Sequence, residues 1–189
     1  TYDTDDQKMN NPQTEARFKS FPSVMLNKGV SVSKINACNR GIHLVQQHWD
    51  ICVLLSDDME VQQKGWDKKI IDAMTEKYPD TDGCLWFNDG YTDSRLCTMV
   101  IMGRKYFERT NYLYNQKYTS LWCDNEYTEV AQQLQRITYY PEILFKHEHP
   151  ANTARVQNDD LYKLNESFYY EDEKVYKQRK SINFGMSSK

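Results

Sequence analysis

The chain has 189 residues, and 24 Lys and Arg against 27 Asp and Glu leave a formal net charge of −3. This length is that of one domain, and weak acidity without a basic block argues against a protein held to nucleic acid by phosphate contacts. Aromatic residues at 13%, among them fourteen Tyr, supply core volume and argue against global disorder.

Thr1-Tyr2-Asp3-Thr4-Asp5-Asp6 reads as the end of a strand running into an acidic loop, so the numbering is expected to start inside a longer protein. Asn10-Asn11-Pro12 is a turn signal, and residues 21–26 read as a short strand. Ser31 is the expected N-cap of a helix that carries Val32, Ile35, Cys38, Ile42 and Val45 at helical spacing. Residues 51–55 form the longest apolar run, the pattern of a strand buried on both faces of a parallel sheet and far short of the ~20 residues of a membrane span. A helix is expected over 64–77 with Trp66, Ile70, Ile71 and Met74 inward, then strands at 84–87 and 96–102 and a short helix at 103–109. A Tyr-rich loop covers 111–123, a helix runs from Asp124 or Asn125 to about residue 134, and residues 137–140 are a strand. The tail over 159–180 is charged and helical in pattern, with Leu161, Leu164, Phe168, Val175 and Tyr176 as anchors, and 181–189 reads as frayed. The alternation indicates an α/β fold, with a domain over 1–158 and a C-terminal helical tail over 159–189. Cys38, Cys52, Cys84, Cys97 and Cys123 are odd in number, contain no CxxC pair and read as reduced thiols of a cytoplasmic protein, with no zinc-ligand spacing.

Three motifs carry possible chemistry. Asp57-Asp58 follow an apolar strand, and ligands of open α/β sheets bind beyond the carboxyl ends of strands. Adjacent carboxylates repel and lose hydration there, so the pair is either an exposed turn with an Asx cap or a site for a hard divalent cation such as Mg²⁺ or Mn²⁺. His147 and His149, two apart on an extended segment, point to the same side and are either packed residues or metal ligands, imidazole with carboxylate suiting Mn²⁺. Asp124, in Trp122-Cys123-Asp124-Asn125-Glu126, is a helix cap or a general base.

In this order the motifs resemble glycosyltransferase family 2, GT-A-fold enzymes that use nucleotide-sugar donors, over about residues 1–176. Thr4-Asp5-Asp6 is similar to the acidic loop that helps hold the nucleobase, and Lys34-Ile35-Asn36-Ala37-Cys38-Asn39-Arg40-Gly41 to the nucleotide-contacting helix with its Asn-x-Gly pattern. Leu54-Leu55-Ser56-Asp57-Asp58 resembles the strand-end DxD motif that binds metal and diphosphate, reduced here to Asp57 with Asp58 because Leu55 stands at its first acidic position. Asp124 occupies the place of the family's catalytic base, with Glu126 as a rival because Cys123 replaces the base's acidic partner; His147 or His149 resembles the late metal ligand.

The resemblance implies a mostly parallel, GT-A-like sheet flanked by helices, lacking the family's first strand. It implies a metal-dependent inverting transfer from a nucleotide-sugar to a glycan or other hydroxyl acceptor. Asp57, Asp58, His147 and His149 would hold Mn²⁺ or Mg²⁺; Asp5, Asp6, Lys34, Asn36 and Asp57 would contact the donor; Asp124 or Glu126 would be the base; and Trp86, Asn88 and Asp89, at another strand end, would line the acceptor side, with core as the other reading of Trp86. Neither nucleic acid nor a membrane span is among the expected partners. The alternatives are a catalytically silent module of the same architecture and a nucleotidyltransferase, whose Gly- and Arg/Lys-rich phosphate loop is not found in the chain.

Overall fold

The computed structural model describes residues 1–45, 48–149 and 160–186. In chain order they form β1 (Tyr2–Asp3), α1 (Pro12–Lys19), β2 (Lys28–Gly29), α2 (Lys34–His43), β3 (Ile51–Val53), β4 (Met59–Val61), α3 (Trp66–Lys77) and β5 (Cys84–Phe87). Then follow β6 (Ile101–Gly103), α4 (Arg104–Phe107), α5 (Cys123–Gln133), β7 (Ile137–Tyr140), β8 (Phe145–His147), α6 (Asp160–Ser167) and α7 (Tyr169–Ser181).

The fold is mixed α/β. Its main sheet has the order β3-β6-β5-β7, flanked by a parallel β1-β2 pair and an antiparallel β4-β8 pair. Within the main sheet β6 runs antiparallel to both neighbours, β3 and β5, while β5 and β7 are parallel. The expected mostly parallel sheet is therefore corrected to a mixed one. Between β5 and β6 the chain makes only a single 3₁₀ turn, Asp93–Arg95, and without a crossover helix the second strand returns antiparallel.

Strand alternation divides the core in two. Cys84, Trp86, Val100 and Met102 face Ile35 of α2, Tyr106 and Phe107 of α4, Tyr114 and Tyr118 of the 111–122 loop, and Tyr127 and Ala131 of α5. Leu85, Phe87, Met99 and Ile101 face Ile70, Ala73 and Met74 of α3 together with Phe145 of β8. Leu85, Val100 and Ile101 have no exposed surface, and burial of each such side chain is worth roughly 1.5–3 kcal/mol. The Tyr-rich loop, which has neither helix nor strand, is pinned from α2. Buried Asn39 donates from Nδ2 to the Tyr114 carbonyl (2.7 Å), and its Oδ1 accepts from Leu113 N (2.9 Å).

Several local expectations are corrected. Residues 51–55 contribute only β3, a half-buried edge strand paired to β6 alone, and Leu55 is exposed. Residues 21–26 form no strand: Phe21, Val24 and Met25 are exposed, turn hydrogen bonds join Phe21 N to Phe18 O and Val24 N to Phe21 O, and the strand forms later, at β2. Ser33, not Ser31, caps α2, its hydroxyl accepting from Asn36 N at 3.1 Å, and Val32 is exposed. Ile71, expected inward, is exposed, as are Leu161 and Leu164, whereas Val175 and Tyr176 pack onto the core. Among the described residues no helix is long and apolar enough to cross a membrane.

Gly103 ends β6 where the chain has no room for a side chain: a Cβ there would stand 2.1 Å from the Thr81 carbonyl oxygen. Gly103→Ala is expected to displace the 79–83 turn and lose about 1–3 kcal/mol, read as a lower urea midpoint at unchanged slope.

Candidate functional site

Because β6 alone is reversed, β3, β5 and β7 run in one direction, and their carboxyl ends share one edge of the sheet. Ser56-Asp57-Asp58 leaves that edge from β3, and Asn88-Asp89 leaves it from β5. The β4-β8 ladder brings a third segment to the same place. Its register sets Met59 opposite His147, and Glu148 N donates to the Asp58 carbonyl at 2.8 Å.

His147 consequently lies between two carboxylates. Its Nε2 is 3.2 Å from Asp58 Oδ2, its Nδ1 is 4.0 Å from Asp89 Oδ2, and its backbone N–H donates to the Asp89 carbonyl at 3.0 Å. Asp58 also accepts from the Ser56 hydroxyl and, at 3.3 Å, from Tyr162 of α6. Burial alone would raise its carboxyl, but the hydrogen bonds from His147, Ser56 and Tyr162 hold it well below the usual carboxylate range. Asp89 is buried; its Oδ1 accepts from the N–H groups of Tyr91 (2.9 Å) and Thr92 (2.7 Å), and its Oδ2 from Thr98 Oγ1 (2.8 Å). These donors outweigh its burial and lower its carboxyl too. His149 stands beside the pair, 5.6 Å from His147 between ring centroids and edge-on to Tyr162 at 4.9 Å. Its desolvation, together with the neighbouring His147, lowers its imidazole.

Two helix starts complete the cluster. Asp124 is the second residue of α5, with Oδ1 accepting from Asn125 N at 2.9 Å. It does not cap the helix, since Trp122 occupies that position without a side-chain cap bond. Burial raises the Asp124 carboxyl above its ordinary value, against the lowering pull of Lys34, of the Asn125 N–H and of His147. Lys34, the first residue of α2, keeps exposed surface; the packing around it lowers its ammonium, but Cys123, Asp124, Cys38 and Asp58 outweigh that and raise it. The residues brought together are thus Lys34, Asp58, Asp124, His147 and His149.

Other candidates are placed elsewhere. Asp57 is exposed beside Asp58. Asp5 and Asp6 are exposed, and Asp6 Oδ1 accepts from the N–H groups of Lys8 and Met9 within its own turn. Asn36 is exposed and meets Arg40, 3.5 Å from its Oδ1, while Arg40 pairs with Asp3 at 3.3 Å. Glu126 is buried against α7. Arg179 grips it with two hydrogen bonds, Nε to Oε2 at 2.6 Å and Nη2 to Oε1 at 2.7 Å, and the Tyr118 hydroxyl donates to it at 2.7 Å. A carboxylate so engaged has a structural partner, which leaves Asp124 as the carboxylate facing the cluster. Trp86 is core, edge-on to Tyr139 at 5.1 Å, so the acceptor-wall option for it is corrected. Asp89 serves as the neighbour of His147, a role that its strand-end position signals only in part. Tyr162 reaches Asp58 across 104 positions and carries no local signal.

The donor chemistry of Asp58 and His147, one carboxylate oxygen and one imidazole nitrogen, fits a Mn²⁺-type ion, with His149 adjacent. Among the described residues, no three His, Cys, Asp or Glu are grouped closely enough to hold a metal as they stand.

Lys34 opposes the effect of burial on Asp124, so Lys34→Met is expected to raise the Asp124 carboxyl pKa further. A ¹³C-carboxyl NMR titration checks this; an unmoved midpoint would separate the two groups. Comparison with known protein families, with curated proteins and with solved structures finds no match for this chain.

Proposed function

We propose that the chain is a divalent-metal-dependent glycosyltransferase module that moves a sugar from a nucleotide-diphosphate donor to an acceptor hydroxyl, with inversion. One observation carries the reading. Four distant segments bring Lys34, Asp58, Asp124 and the His147/His149 pair within electrostatic reach of one another, beside a sheet edge where three strands end together. The common direction of β3, β5 and β7 supports a GT-A-like arrangement. Five unpaired cysteines support a reducing, cytoplasmic location.

Asp58 and His147, with His149 beside them and Asp57 at the rim, are the residues that would hold Mn²⁺ or Mg²⁺, whose charge neutralises a leaving diphosphate. Lys34 supplies fixed positive charge where phosphate would sit. Asp124 has the properties of a general base: its raised carboxyl pKa gives it more proton affinity than an exposed carboxylate, which helps it take a hydroxyl proton. Single displacement with inversion needs one such base and no covalent sugar, and Glu126 is occupied by Arg179. On the donor side Asp5, Asp6 and Asn36 are assigned to nucleoside contact, near the Asp3–Arg40 pair.

A second reading, a binding module of the same architecture without turnover, is favoured by Leu55 and Cys123 standing where the resembled family carries acidic residues. A hydrolysis screen of nucleotide-sugars with Mn²⁺ and Mg²⁺ on the full-length protein tests both. Asp124→Asn is expected to lose about 10²–10⁴-fold in turnover and to retain Mn²⁺-dependent binding of nucleoside diphosphate by calorimetry. Unchanged turnover removes Asp124 as the base, and absence of metal-dependent nucleotide binding in the unaltered protein favours the silent module.

A further inference from the structure

The start of α5 is built against the ordinary preferences of a helix. Trp122, at its cap, adopts a left-handed backbone (φ 62°) and donates no side-chain cap, although a bulky residue gains nothing from that conformation. Such a turn persists only where its surroundings over-determine it, and here the surroundings are α7. Before the turn, the backbone N–H groups of Thr119 (2.9 Å), Ser120 (2.8 Å) and Leu121 (2.8 Å) all donate to the carboxylate of Asp172, which is 2% exposed. At the turn, the Trp122 ring packs against Tyr169 and Tyr176 of α7, with centroids 5.4 and 5.1 Å away. After it, Arg179 holds Glu126 in the bidentate pair, and Arg179 Nη2 donates to the Phe184 carbonyl at 2.9 Å.

Three grips from one helix thus bracket Asp124, at residues 119–121 and 122 before it and at Glu126 after it. We infer that α7 is the device that positions Asp124, with Asp172, Tyr176 and Arg179 as positioning residues acting through the 119–126 backbone. None of the three needs to touch substrate. The consequence is a dependence of the chemical step on a helix from the other end of the chain. The inference rests on the reading of Asp124 as the base.

The test is Asp172→Asn in the full-length protein. An amide nitrogen in place of one carboxylate oxygen faces N–H groups and loses the charge that binds them. The expected result is a kcat lower by on the order of 100-fold, the cost of a base misplaced by about 1 Å, with KM for the nucleotide-sugar within twofold. Amide hydrogen exchange at residues 123–126 is expected to quicken at least tenfold. Tyr176→Leu keeps apolar volume, removes the ring, and serves if Asp172→Asn does not fold; the same split is expected with a smaller fall in kcat. Equal kcat per folded molecule in wild type and variant, or a fall confined to KM, overturns the positioning role while Asp124 stays as base. If no nucleotide-sugar is turned over even by the wild type, the reading of Asp124 falls, and the positioning role with it.

Discussion

Strand β6 is the constraint on which the other elements depend. Ile101–Gly103 is hydrogen-bonded on both edges, to β3 and to β5, and is almost wholly buried. Its alternation assigns Met102 to one half of the core and Ile101 to the other, so both helical layers are referenced to three residues. Its reversed direction lets β3, β5 and β7 run together, which gathers their carboxyl ends. Gly103 is where the Thr81 turn closes over the strand, and a Cβ has no place there.

The site is assembled by two further devices of different kinds. The β4-β8 ladder is a backbone device: one register sets Met59 opposite His147 and so places an imidazole beside Asp58. A slip of one residue would turn every side chain of β8 to the opposite face. The α7 contacts are an electrostatic device, in which a buried carboxylate collects three amide donors and a buried guanidinium meets a buried carboxylate. Breaking a pair like Glu126–Arg179 by removing one partner costs about 3–5 kcal/mol, because a charge is left buried without compensation. The 119–126 segment is therefore bound up with the packing of α7.

Much of this was legible along the chain. Residues 84–87 and 137–140 are strands with the expected bounds, because short apolar runs bounded by turn residues leave few other options. The helix over 66–77 follows from apolar spacing, and that over 123–133 begins one residue before its expected start. Periodicity failed where burial, not pattern, decides: Ile71 and Leu161 keep helical spacing and face solvent, and the 51–55 run looked interior yet ends on a sheet edge. The strand expected over 21–26 yielded to β2, whose partner β1 is set by a parallel pairing that spacing does not encode.

For the candidate site, residue type and order along the chain singled out Asp58, Asp124, His147 and His149, since carboxylates and imidazoles after strands stand out against an apolar background, whereas Lys34 entered only through the family resemblance. Which carboxylate of each close pair faces the cluster was decided only in three dimensions. Asp57 and Asp58 are adjacent in sequence, but the β4-β8 register ties Asp58 to His147 and leaves Asp57 in solvent. Asp124 and Glu126 share one helical turn, but Arg179, 53 positions away, takes Glu126. Composition and local pattern determine which groups are present and which elements carry them. Charge compensation and strand register, both long-range, determine which of those groups remain at the surface of the site.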